Sequence, residues 1–211
     1  DPAGPAGAGS PNEVPTGRMV RHGGPLAKPK TGAGPVMGPG PGPADLNPAL
    51  VVRLATEAAG FLEFDLVERA QERAERLLAT RAGRLAGLAL KAECLRRRER
   101  YREALPLLRE ALDQSPEDES LWINLGWCLK RSGRLPEAVA AMEGLLAELP
   151  DSALGHYNLS CYLALSGERE RCLAALGRAL GLDDSLRGQI PGEGDFDSLR
   201  QDPQFRRLTG P

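Results

Sequence analysis

Four cysteines, two histidines and 29 carboxylates are the residues of this 211-residue chain that could hold a metal or carry acid–base or nucleophilic chemistry. Their spacing supports little of it. Cys94, Cys128, Cys161 and Cys172 form no C-x-x-C pair, and only His22 and His156 could complete a set of ligands, so no zinc site is expected. Free, buried thiols in a reducing compartment fit better. The acidic cluster Glu193, Asp195, Asp197 lacks the spacing and the closing Glu of a helix–loop–helix calcium loop. GAGSPN near the start is Gly-rich, but no strand precedes it and no helix follows. There is no nucleophile elbow and no H-E-x-x-H. Carboxylates elsewhere alternate with arginines, as in ERAQERAERLL, the pattern of a solvated helix face. A chain that is not an enzyme, with no catalytic residue, metal or cofactor, is the expectation.

The elements that carry these residues fall into two compositional zones. Residues 1–48 are nearly half Gly and Pro, in runs such as GPVMGPGPGP, and have too little apolar surface to offset ordering entropy. They read as a disordered tail or linker. The chain begins with Asp, so a fragment, a processed form or an incomplete gene model is implied, and an upstream signal stays possible. Net charge is −2, which predicts no bulk attraction to nucleic acid or membrane. No apolar run approaches the length of a membrane span, and a cytoplasmic location is expected.

From residue 49 the apolar residues recur at three and four, the helical period. The stretch LWINLGWCLKRSG from Leu121 returns 34 residues later as GHYNLSCYLALSG. Two columns of small residues keep the same step: Ala58, Ala92, Gly126 and Ser160, then Ala70, Ala104, Ala138 and Cys172. Small side chains let paired helices approach closely at their crossing. Asp65, Glu99, Gly133 and Gly167 occupy the turn inside each unit, where a left-handed residue commonly ends a helix. Pro116 and Pro150 separate one unit from the next; the first unit lacks that proline. Units of about 51–84, 85–118, 119–152 and 153–184 result. A lone helical hairpin cannot bury its apolar face, so stacking supplies the core. Residues 185–211 read as capping helices, with Phe196, Leu199, Phe205 and Leu208 covering the last unit.

Trp122, Leu125-Gly126, Ala138 and Pro150, with Leu129 and Met142 at the aromatic places, resemble the tetratricopeptide repeat. Leu159, Ser160 and Cys172 repeat the match one unit on, and Ala58, Ala70, Ala92 and Ala104 in the earlier units. The resemblance implies an all-α, right-handed solenoid of antiparallel helix pairs whose first helices line a concave groove. It places Glu93, Arg96, Arg97, Asn124, Trp127, Lys130, Arg131, Tyr157 and Asn158 in or beside that groove. Four of these are cations around an aromatic, which suits an extended acidic or amphipathic peptide of another protein. Trp122 is expected between helices. Cys161, in a groove column, is expected to be more accessible than Cys94 and Cys128. The pattern by which some family members clamp a chaperone's C-terminal carboxylate is matched here only by Asn124, so no such clamp is expected. RRRERYR at residues 96–102 is broken by Glu99 and followed by Glu103, which argues against phosphate tracking. A protein-binding scaffold is the implied function. The alternatives are a self-associating structural module, or the accessory domain of an enzyme whose catalytic part lies elsewhere.

Overall fold

The computed structural model describes residues 47–210. Most of the expected tail lies outside the described residues, but Pro48, counted with it, is already the first residue of a helix. Eight helices follow in four pairs. They are α1 (Pro48–Glu63) with α2 (Val67–Leu78), and α3 (Arg84–Arg97) with α4 (Tyr101–Gln114). Next come α5 (Glu119–Arg131) with α6 (Leu135–Glu148), and α7 (Ala153–Leu165) with α8 (Arg169–Leu182). Two 3₁₀ stretches, Asp184–Gly192 and Gly194–Leu199, lead to α9 (Pro203–Thr209). The described residues contain no strand.

Local chemistry explains where the helices begin and end. Side-chain oxygens of Asn47, Asp118 and Ser152 accept from amides in the first turns of α1, α5 and α7, which would otherwise lack partners. All four turn residues are left-handed: φ is 57° at Asp65, 59° at Glu99 and 75° at both Gly133 and Gly167. At each, the next amide reaches the carbonyl five residues back, Arg100 to Leu95 at 2.9 Å and Arg134 to Leu129 at 3.0 Å among them, and closes the helix. The unit without a closing proline has Thr80 instead. Its buried hydroxyl donates to the Leu77 carbonyl at 2.9 Å and accepts from Gly83 N at 3.1 Å.

Both small columns are buried along their whole length. At Gly126 an added Cβ would meet Met142 Cε at 2.7 Å, so this crossing is closer than the one at Ala92. Trp122 packs between helices as expected: its ring lies 2.9 Å from where a Cβ on Gly144 would be, and its Nε1 donates to the Pro116 carbonyl at 2.7 Å. Leu54, Leu88, Leu129 and Leu163 are fully buried, each contributing about 1.5–3 kcal/mol. Helix α3 serves two neighbours. Leu90 and Cys94 join the core of α1 and α2, while Leu88, Ala92 and Leu95 join the core that runs to the C-terminus.

The C-terminal segment differs from the expected capping helices. Phe196 and Leu199 lie on a 3₁₀ stretch, whose three-residue turn also stacks residues three apart. Phe196, Leu199 and Phe205 are buried and Leu208 partly so. The stretch carrying Phe196 rests on α7, while α9 and the first 3₁₀ stretch pack on α8.

Candidate functional site

The first helix of each pair carries the expected groove positions, and the structure divides them into an open and a covered part. The open part is on α3 and α5. Glu93, Arg96 and Arg97 share one face because they are three and four residues apart. Arg96 holds Glu93 through Nε and Nη2 at 2.6 Å each. Arg97 Nε donates to the same carboxylate at 3.0 Å, and its Nη1 to Asp65 at 3.3 Å. Burial opposes the Arg96 charge, but the bonds to Glu93 outweigh it and raise its pKa. Trp127 receives two guanidinium groups: Arg96 at 5.0 Å and Arg131 at 5.7 Å from its centroid. Tyr101 meets the same ring edge-on at 5.2 Å and 81°, and Arg131 also covers Tyr101 at 5.4 Å. Among the described residues Arg131 has no carboxylate partner and the Asn124 amide no hydrogen bond; both are partly exposed.

The covered part is on α5 and α7. Lys130 is 7% exposed and Tyr157 3%. Lys130 Nζ bonds Asp195 Oδ2 at 2.5 Å, and Phe196 meets Tyr157 edge-on at 5.9 Å and 85°. The chain's own residues 193–199 thus lie over groove positions. Asn158, half-buried, turns its amide to the Leu154 carbonyl of its own helix at 2.9 Å.

Three expectations change as a result. Lys130 is not an open cation for a ligand, because its charge is matched inside the molecule. Tyr157 is a wall for Phe196. Cys161 is as buried as Cys94 and Cys128, and burial pushes its thiol well above the usual range. The other thiols follow: Cys94 is pushed up to about 11, Cys128 and Cys172 to about 12, all by burial. A thiol held protonated this way is a poor nucleophile at neutral pH. The basic strip also shrinks. Of its four cations, Arg96, Arg97 and Lys130 have carboxylate partners, which leaves Arg131.

The residue that sequence reasoning missed is the one that matches Lys130. Asp195 was visible only as part of a rejected calcium pattern, yet it is only 2% exposed. Glu193, Asp195 and Cys161 bring ligand-type atoms within 4.8 Å of one another. Lys130 on Asp195 already supplies a positive charge there, so the cluster gives no reason to invoke a metal. Burial raises the pKa of Glu193.

Two tetratricopeptide repeat family models match the sequence, over residues 57–119 and 95–157. No curated protein matches it. Among solved structures, a MamA RS-1 double mutant aligns with a TM-score of 0.57 at 18% identity, covering 64% of this chain and 76% of its own. Another MamA structure aligns with a TM-score of 0.58 at 14% identity, covering 64% and 79%. YrrB, described as a TPR protein with an unusual peptide-binding site, aligns with a TM-score of 0.56 at 22% identity, covering 67% and 73%. At these identities the structures show a shared fold. The stacked helix pairs, the small columns and the two matching models agree: the chain belongs to the tetratricopeptide repeat family. It is an all-α superhelix of the kind that serves as a protein-interaction scaffold. No helix among the described residues is long and apolar enough to cross a membrane.

Proposed function

We propose that the chain is a non-catalytic adaptor that binds an extended acidic segment of another protein along the open part of its concave face. The observation that carries this reading is Arg131. It lies over Trp127 and Tyr101, is partly exposed and has no carboxylate partner among the described residues. A cation held over aromatic rings is pre-oriented, and a carboxylate arriving there forms a charge-assisted bond. Asn124, with its amide unbonded, sits one helical turn before Trp127 on α5 and suits a backbone contact. Arg97 extends the strip toward α1, with Asp65 as a partner that a ligand carboxylate can replace. Residue by residue, then, the ligand site comprises Arg96, Arg97, Asn124, Trp127 and Arg131, with Glu93 as the internal counter-charge. The peptide-binding site described for YrrB makes a peptide ligand a reasonable reading of the shared fold.

A fluorescence titration tests the proposal. An Asp/Glu-rich peptide with one leucine is titrated into the full chain and into Arg97→Glu/Arg131→Glu. Losing one charge-assisted contact costs about 1.5–3 kcal/mol, so binding is expected to weaken tenfold or more. It is also expected to fall with salt. Equal binding by both proteins removes the strip from the site.

One observation favours self-association as a second reading. At the N-terminal end Phe64 is 78% exposed, with Val52 and Leu66 also open. Concentration-dependent mass that Phe64→Ser abolishes supports it.

A further inference from the structure

The covered half of the concave face holds a peptide-like stretch of the chain itself, and its chemistry can be read. Two features tie the stretch 193–199 to the groove. Asp195 meets Lys130 of α5, and Phe196 inserts fully buried against Tyr157 of α7. The acid and the aromatic are adjacent on the second 3₁₀ stretch, so one short turn serves both sites.

The stretch holds its own shape mainly by local bonds. The Glu193 side chain accepts from Asp195 N at 3.1 Å. Arg200 donates to the carbonyls of Ile190 at 2.9 Å and Glu193 at 2.8 Å. Phe205 of α9 backs Phe196 at 5.4 Å. A segment shaped by its own bonds, with few polar ties to the surface beneath, resembles a seated ligand more than another helix pair.

The fit beneath it is incomplete. Asp195 Oδ1 in the stretch, and Tyr157 Oη and Tyr162 Oη beneath it, are buried without a hydrogen-bond partner among the described residues. Buried polar atoms are ordinarily bonded, so a ligand that reached the two tyrosine hydroxyls would fit the surface better than the resident stretch does. Lys130 also lies 5.8 Å from the Tyr162 ring centroid, so the cation has an aromatic wall when the carboxylate leaves.

We infer that the concave face between α5 and α7 is a second peptide site, occupied in cis by residues 193–199, whose external ligand is a short turn-forming segment with a carboxylate directly followed by an aromatic. Lys130 reads the carboxylate and Tyr157 the aromatic. The site goes beyond the open strip, shares none of its residues, and stands or falls without it.

The probe is a fluorescein-labelled peptide copying residues 190–201, IPGEGDFDSLRQ. It is titrated into the full chain and into Asp195→Asn/Phe196→Ala, which loosens the resident stretch. The loosened chain is expected to bind at least tenfold more tightly than the unaltered one. Adding Lys130→Ala, or making the Asp-to-Asn change in the peptide, is expected to abolish the gain. No gain in a loosened chain with an unchanged helical circular dichroism spectrum overturns the inference and leaves the stretch a structural cap. A doubled mass with no peptide uptake overturns it too, in favour of exchange between copies. If the loosened chain does not fold, the unaltered chain decides. In a ¹⁵N-labelled sample, excess unlabelled peptide is expected to shift the amide signals of residues 193–199 to unstructured positions, and unmoved signals overturn the inference. Arg131 and Trp127 are unaltered throughout, so binding of the acidic peptide at the open strip is scored separately.

Discussion

Arg96 and Lys130 occupy the same column of successive repeats, 34 residues apart, and meet opposite fates. Arg96 stays partly exposed, held by a carboxylate of its own helix and resting on Trp127. Lys130 is buried under a carboxylate 65 residues away in the chain. The same contrast holds for Ile123 and Tyr157, and for Trp127 and Cys161, partly open on α5 and buried on α7. A repeat column fixes the face on which a side chain stands. Whether that face is open depends on what the chain lays over it.

The two halves can be set against each other by mutation, and the largest difference is expected for this pair of cations. Lys130→Ala leaves Asp195 buried and unpaired, a loss of about 3–5 kcal/mol. Arg96→Ala removes a half-buried intrahelical pair and is expected to cost about 1 kcal/mol. Urea midpoints of the two variants measure the gap, and equal midpoints would show that the covered half is no more buried than the open one.

Next comes the helix crossing. At Gly126 a Cβ meets Met142 and, at 3.2 Å, Tyr162, whereas Ala92 already carries one in the equivalent place. Gly126→Ala is therefore expected to destabilise by about 1–3 kcal/mol, because Met142 must swing aside in a packed core. Thermal melts check this.

The turns give a smaller contrast of opposite sign. The front half places Asp65 and Glu99 at positive φ, and the rear half Gly133 and Gly167. A Cβ in this region costs about 1–2 kcal/mol. Gly133→Ala should lose about 1 kcal/mol and Glu99→Gly gain somewhat less, since glycine orders at greater entropic cost. Chemical denaturation of both variants reads the sign directly.

The smallest expected effect is on pH dependence. Burial raises the folded-state pKa of Glu193 above its usual value; the bond from the Asp195 amide opposes the rise, the Asp195 charge adds to it, and Lys130 and Arg200 oppose it. A raised carboxyl contributes stability that is complete below pH 4.5 and is lost as pH rises through its folded value. Glu193→Gln should flatten the decline in unfolding midpoint above pH 4.5. Asp202 works the other way. Its bond to Arg169 holds it at about 2, so its contribution is present above the usual pKa of 3.8 and fades as pH falls toward 2.

Much of this fold was legible in the sequence. The 34-residue columns placed Ala58, Ala104 and Cys172 at helix crossings, and the turn residues were recognisable even as Asp65 and Glu99. Helical hairpins are local structures, so local spacing encodes them. The Thr80 cap was missed because a hydroxyl and a proline end a helix by unrelated chemistry. The candidate site was half legible. Spacing and the repeat resemblance placed Trp127 and Arg131 on one face of α5, where the two side chains meet. Spacing could not show that Glu93 would bond both neighbouring arginines at once, which depends on rotamers. Nor could it show that Asp195 would reach Lys130. That pairing depends on how a 3₁₀ segment leaves α8 and turns back onto α7, a tertiary path with no sequence period.

The central claim is that the concave face is divided, open over α3 and α5 and occupied beyond. Amide hydrogen exchange with and without an acidic peptide carrying one leucine and no aromatic tests it most directly. Slower exchange confined to α3 and the Asn124–Arg131 part of α5, with α7 and residues 193–199 unchanged, is the predicted result. Slower exchange along α4 and α6, with α3 and α5 unchanged, would contradict it and move the binding surface to the second helices.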